Sequence, residues 1–261
     1  MSRIHDALKK AEAERRSPVT SRASAPVRVK EAPVSRAPAI QAPPRQLPES
    51  ELPLARFTLE GEAVLSRSYE EVERLCSSRL APGLRDAAGP RRVVLVTSLA
   101  PKARPADVAL ALAATLAEKY KLRVALVDCS ASGRGAAELF ESDSGRSVMS
   151  ELRLDPTHPG RFMRRSVLQG LFLLTVPLSG SQVEGSRPDG AVAAAVARVL
   201  DWCHAAVLAA DSVAEDPRVV SLAPLAQATV LVAREPGAAL EEVQGRLFLE
   251  NAPLYAVREL S

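Results

Sequence analysis

The sequence predicts an α/β domain: a mostly parallel β-sheet with helices on both faces, preceded by an N-terminal helix and a disordered linker. Three observations lead there. Short, near-continuous apolar runs alternate with longer helical stretches, the pattern of strands buried on both faces. One of these alternations, SLAPKARPADVALALA (Ser98–Ala113), is a strand end, a short turn and a helix start, where α/β sheets commonly hold phosphate. The chain of 261 residues is long enough for one sizeable core, and with aromatics at only 3% that core must be built from Ala, Val and Leu.

Residues 1–17 read as an amphipathic basic helix. Ser2 can cap it, and Lys9, Lys10, Arg15 and Arg16 crowd the half that the helix dipole favours for cations. Ile4, Leu8 and Ala11 form a narrow apolar stripe, and Pro18 ends the helix. So short a helix is marginal alone in water, which makes Ile4, Leu8, Lys9, Lys10 and Ala11 the candidate partner-binding residues. Docking on a protein groove suits the stripe better than membrane insertion, for which it is too small. Residues 18–53 hold eight prolines and no periodicity that buries a core, the composition of a semi-extended linker.

From residue 54 to 261 the pattern is globular. RFTLEGE reads as a short edge strand, and SRSYEEVERLCSSRLAPG as a helix starting near Ser66 or Ser68 and closed by Pro82 and Gly83. Strands follow at Val93–Ser98, Arg123–Ser130, Gly170–Gly180, Ala205–Ser212, Thr229–Glu235 and Pro253–Leu260. Helices are expected over Ala106–Tyr120, near Gly135–Phe140, and over Ala191–His204 and Ala239–Asn251, with RVVSLAPLA (Arg218–Ala226) a further element of the series. Ser98–Asp107 and Cys129–Gly135 then fall at the carboxyl ends of two strands, where such sheets bind ligands.

Composition excludes several classes. The net charge of +3 resides in the arm: residues 1–50 carry ten Lys/Arg against five Asp/Glu, and the remainder 24 against 26. The globular part therefore has no nucleic-acid footprint. Cys76, Cys129 and Cys203 have no metal-ligand spacing and read as buried free thiols, which implies a reducing cytoplasm. No run approaches the roughly 20 apolar residues of a membrane span, and MSRIHDALKKAEAERR lacks the apolar core of a secretory signal. A cytoplasmic protein follows.

The order of elements resembles the cytoplasmic tyrosine autokinases (BY-kinases) of bacterial capsule and exopolysaccharide synthesis, themselves relatives of the MinD/ParA-type P-loop ATPases. The resemblance rests on four stretches. MSRIHDALKKAEAERR is similar to that family's N-terminal segment, and SYEEVERLCSSRL to a helix that normally reads Glu-x-x-Arg-x-x-Arg. VVLVTSLAPKARP corresponds to a strand and loop that normally read Val-Thr-Ser-x-x-Pro-Gly-Glu-Gly-Lys-Ser, and RVALVDCSASG to a strand normally ending Asp-x-Asp. The resemblance implies a P-loop NTPase-like fold and, by position, vestigial nucleotide-binding residues at Lys102, Arg104, Asp107, Asp128 and Asp211. It also implies an oligomer contact through Glu71 and Arg74, with homo-oligomers, and as protein partner an inner-membrane polysaccharide co-polymerase or a true BY-kinase. The location implied is cytoplasmic, peripheral to the inner membrane through a partner or weakly through the N-terminal helix.

The departures fall on the catalytic positions. Lys102 and Arg104 stand where glycines would let backbone N–H groups converge on an anion. Pro105 replaces the lysine and has no N–H, yet suits a helix start; Ala106 replaces the magnesium-binding hydroxyl. Asp107 suits the helix dipole and repels a triphosphate. Ser130 replaces the second acid after Asp128, Ser77 replaces the last arginine of the helix motif, and the third motif's acid falls on Ala209 or, with a shift, on Asp211. A tyrosine-rich tail is missing, Tyr255 lying inside an expected strand. The reading is a degenerate pseudokinase or pseudo-ATPase acting as a regulatory or scaffold subunit, with no cofactor expected and no catalytic or metal residues. Two alternatives stay open: an active autokinase or ATPase with a remodelled loop, using ATP and Mg, and a MinD/ParA-like positioning protein that self-assembles on membrane or DNA.

Several of these residues also have plainer readings. Asp128 can cap the following turn, Glu71 and Arg74 can form a solvated pair on one helix face, and His5 and His204 read as structural.

Overall fold

The computed structural model describes residues 45–46, 49–67, 70–80, 92–100, 103–130, 135–141, 163–176, 178, 190–233 and 254–258. The chain divides into two units, Met1–Ala39 and Ile40–Ser261, and all described residues belong to the second. The expected helix over 1–17 and the expected helix over Ala239–Asn251 lie outside the described residues.

Among the described residues, eight strands form one sheet: β1 (Leu54–Ala55), β2 (Arg92–Ser98), β3 (Val124–Asp128), β4 (Arg164–Ser166), β5 (Leu171–Thr175), β6 (Ala205–Ser212), β7 (Ala228–Ala233) and β8 (Leu254–Arg258), in the order β1-β4-β5-β3-β6-β2-β7-β8. Every pairing is parallel except β4 with β5. The helices are α1 (Leu59–Ser66), α2 (Glu70–Leu75, prolonged by a π turn, Cys76–Leu80), α3 (Pro105–Tyr120) and α4 (Gly190–Val199).

Successive side chains of a strand point to opposite faces, and the core divides accordingly. Val94, Val96, Val124, Leu126, Val207, Ala209, Val230 and Val232 face α1, α2 and α3. Their neighbours Val93, Leu95, Ala125, Val127, Ala206, Leu208 and Ala210 face α4 and the 3-10 turns of Pro217–Leu225. Burial on both faces is why the strands read as continuous apolar runs. α3 is buried nearly all round, from Pro105 to Ala117, because the sheet lies on one side and the short helices on the other. Its small alanines permit that close packing. The helix stops where Lys121 takes a left-handed conformation (φ 54°) and its N–H caps the Leu116 carbonyl.

Three expectations are corrected. RFTLEGE is not one strand: the edge strand is only Leu54–Ala55, and helix α1 follows, with the Thr58 hydroxyl accepting from the Gly61 N–H at 3.2 Å as its N-cap. Ser66 therefore closes α1, donating to the Ala63 carbonyl, instead of opening the next helix. Second, the helix expected near Gly135–Phe140 is a 3-10 turn; the element at Arg218–Ala226 is one too, and there Pro224 withholds an N–H donor that an α-helix would use. Third, the end of the expected linker is part of the domain, since Leu52 is buried in the α4-side core and Arg45 is bonded to Asp201.

Candidate functional site

Strands β2, β3 and β6 end side by side, and a cleft of about 680 Å³ opens beyond their carboxyl ends. Its charged and hydroxyl lining includes Glu60, Arg104, Ser130, Glu138, Asp211 and Glu215. Segments far apart in the chain thus meet there: the start of α1, the start of α3, and the turns after β3 and β6.

The helix start is built as expected, with Pro105 in its first turn and the Asp107 N–H donating to the Arg104 carbonyl at 3.2 Å. Arg104 precedes it at φ −110° and ψ 70° and makes no side-chain cap. Its guanidinium turns instead to carboxylates: Nη2 lies 2.5 Å from Glu60 Oε1 and 3.3 Å from Asp107 Oδ1. Partial burial works against the charged guanidinium. The hydrogen bond to Glu60 and the fields of Asp107, Glu60 and Glu138 outweigh it and raise the pKa. Asp107 itself is buried.

Asp128, at the end of β3, is 3% exposed. Its Oδ1 accepts from the Ser130 N–H at 3.0 Å and its Oδ2 from the Ala137 N–H at 2.7 Å, so the carboxyl closes the turn into Ala136–Leu139. Gly135 makes this fit: a Cβ there would sit 2.2 Å from Oδ1. Burial pushes the Asp128 pKa up from 3.8 to about 6; the bonds from Ser130, Ala137 and Ala136 pull it down, and nearby Asp211 adds to the rise. Ser130, at the position where a second acid was expected, donates from Oγ to Asp211 Oδ1 at 2.6 Å. Asp211 is held by its backbone as well, its carbonyl accepting from the Thr97 hydroxyl.

Of the residues singled out from sequence, Arg104, Asp107, Asp128 and Asp211 are brought together at this end of the sheet. Between the two candidates for the third acid, it is Asp211 whose carboxylate lines the cleft. Lys102 lies outside the described residues, as do Ile4, Leu8, Lys9, Lys10 and Ala11. Glu71 and Arg74 are exposed on α2 and do not line the cleft. Reading the sequence missed Glu60, Glu138 and Glu215; the first had a local signal, an acid in the first turn after a Thr N-cap.

Of the two histidines read as structural, His5 lies outside the described residues and His204 is described. His204 Nδ1 accepts from the Arg123 N–H at 2.9 Å, a structural bond. All three cysteines are buried and free, and burial pushes the Cys76 thiol up to about 12, far from reactive. Among the described residues no three His, Cys, Asp or Glu side chains cluster as metal ligands, and no helix is long and apolar enough to cross a membrane.

The described part of the cleft sets four carboxylates, Glu60, Glu138, Asp211 and Glu215, against one guanidinium that is already ion-paired. Asp128 spends both carboxylate oxygens on backbone N–H groups.

No family model and no curated protein matches the sequence. Solved structures do match its fold. The kinase domain of VpsO superposes with a TM-score of 0.52 at 16% identity, over 78% of this chain and 96% of that one. The chimerical protein CapA2B2 does so with a TM-score of 0.56 at 15% identity, over 81% of this chain and 97% of that one. At such identities the likeness is one of architecture, an α/β fold shared with the VpsO kinase domain and the CapA2B2 chimera.

Proposed function

We propose that this chain is a catalytically degenerate BY-kinase-like protein, a pseudokinase or pseudo-ATPase serving as a regulatory or scaffold subunit in exopolysaccharide biosynthesis or export. The observation that supports it is the acidic cleft: where the fold would place a triphosphate, Arg104 is neutralised by Glu60 and Asp107, and three further carboxylates face the same space. Anion binding at a helix start needs converging N–H donors and net positive potential. Pro105 removes a donor, and the described lining carries more carboxylates than cations.

A subunit without catalysis acts through what it holds. The basic N-terminal arm on its proline-rich tether suits a second point of attachment, and the partner in this reading is an inner-membrane polysaccharide co-polymerase or a catalytically active BY-kinase. The protein then works in the cytoplasm, at the inner membrane through that partner. Titration calorimetry of the full chain with MgATP tests the reading. No binding is expected at physiological magnesium; a micromolar Kd abolished by Asp128→Ala would overturn it in favour of an active enzyme with a remodelled loop.

A further inference from the structure

The starts of three neighbouring strands carry a linked group of cations. Arg92 opens β2, and its N–H donates to the His204 carbonyl at 3.4 Å. Arg123 precedes β3; its N–H donates to His204 Nδ1 at 2.9 Å, and its Nη1 to the Arg45 carbonyl at 2.8 Å. The Arg45 N–H in turn donates to the Asp201 carbonyl at 2.9 Å, and the Arg45 guanidinium lies 5.9 Å from the Trp202 ring centre. Lys121, exposed at the left-handed end of α3, stands two residues before Arg123. Strands lie about 4.8 Å apart, so Arg92 and Arg123, on either side of β6, leave the sheet about 10 Å apart. The cations are therefore spread along the amino end of the sheet and do not converge on one point. Among the described residues, no carboxylate is ion-paired with Arg45, Arg92 or Lys121, and the Asp201 carboxylate faces Arg198 at 4.0 Å.

We propose that this amino end of the domain is a docking face for an anionic membrane surface. Charge complementarity carries the choice of partner. Cations spread along a sheet end match a plane of headgroups better than a single anion, and each is worth about fivefold in affinity there. Trp202, half-buried beside Arg45, supplies the amphipathic ring that settles at headgroup level. Beyond that ring the group is polar, so the contact is peripheral and sensitive to salt. The acidic cleft does not oppose it. β6 is eight residues long and sets the cleft about 26 Å away, about three Debye lengths at physiological salt. Docked this way, the cleft opens away from the bilayer and toward partners. Nine Lys/Arg precede Arg45 in the sequence, so the chain enters the domain at this same end with a charge of the same sign. The face goes beyond the function proposed above and stands whether or not that reading does.

Trp202 is the only tryptophan of the chain, so its fluorescence reports on this face alone. The full chain is mixed with vesicles of phosphatidylcholine, or of phosphatidylcholine and phosphatidylglycerol in equal parts, and sedimentation and Trp202 emission are both read. With the anionic vesicles, co-sedimentation, a blue shift and quenching by acyl-chain-brominated lipid are expected, all lost in about 0.5 M salt. Arg92→Gln combined with Lys121→Asn should weaken binding about 25-fold; asparagine tolerates the left-handed conformation at 121. Circular dichroism checks that the double variant folds; if it does not, the wild-type Trp202 signal decides. Co-sedimentation with unchanged Trp202 emission would assign the contact to the basic arm and overturn the proposal. Equal binding by the folded double variant, or no binding to anionic vesicles, would overturn it too. Binding to soluble polyglutamate without binding to vesicles would give the face to an acidic protein segment and equally overturn the membrane reading.

Discussion

Replacing Asp128 by asparagine should reveal a carboxyl whose ionisation works against the fold. Its pKa rises from 3.8 to about 6, chiefly because the group is buried at the end of β3, and the hydrogen bonds from Ser130 and Ala137 only partly offset this. A carboxyl that binds its proton more tightly folded than unfolded contributes stability below pH 3.8 and loses it as pH rises through 6. Two pKa units correspond to about 3 kcal/mol, of which about 2–3 kcal/mol falls between pH 4 and 7. The asparagine side chain carries no charge, so the stability difference between wild type and Asp128→Asn isolates this group from the rest of the titrating surface, including Glu60 and Glu138. Asparagine also turns an NH2 group toward a backbone N–H, an offset of about 1–3 kcal/mol that does not vary with pH. Urea denaturation at half-unit steps from pH 4 to 7.5 measures the difference. Wild type should lose about 2–3 kcal/mol relative to the variant across that range. A flat difference, or one that moves in the other direction, would refute the account of Asp128 as a carboxyl raised by burial.

Other substitutions probe the packing around the same site. Gly61→Ala would gain about 1 kcal/mol on helix propensity alone, but its Cβ would stand 2.2 Å from the Leu139 carbonyl oxygen. A net loss of about 1–3 kcal/mol in urea is expected, and a stabilised variant would show that α1 does not sit against that turn. Leu126→Ala removes a fully buried side chain between the sheet and α3; it should cost about 2–5 kcal/mol, again by urea denaturation. Deleting residues 1–17 should leave thermal unfolding unchanged while abolishing recruitment to the partner complex. A truncated protein that still localises and complements a deletion strain would exclude the arm as an attachment.

The strands and the central helix were legible because burial on both faces imposes a local signature. β6 runs from Ala205 to Ser212 as the apolar run indicated, and α3 begins at Pro105, one residue before the expected start. Two elements were not legible for opposite reasons. β4 is Arg-Arg-Ser, with no apolar pattern, and exists only because β5 and β1 supply partners. α1 did carry a signal, Thr58 followed by Glu60 and Glu62, but Phe57 and Leu59 mimic strand alternation.

The candidate site divides in the same way. The position of the strand–turn–helix at Ser98–Ala106, and the expectation that Pro105 and Asp107 suit a helix start better than a phosphate, come from a few adjacent residues, through backbone freedom and charge. The residual capping role of Asp128 is likewise local, since its oxygens serve N–H groups two and nine residues away. The sign of the cleft is not local. It is set by Glu60, Glu138 and Glu215, which flank three different elements and converge only when the strands order as β3-β6-β2 and α1 folds back over the turn after β3. Charge repulsion falls off with distance through space, and distance through space is what a chain position does not specify.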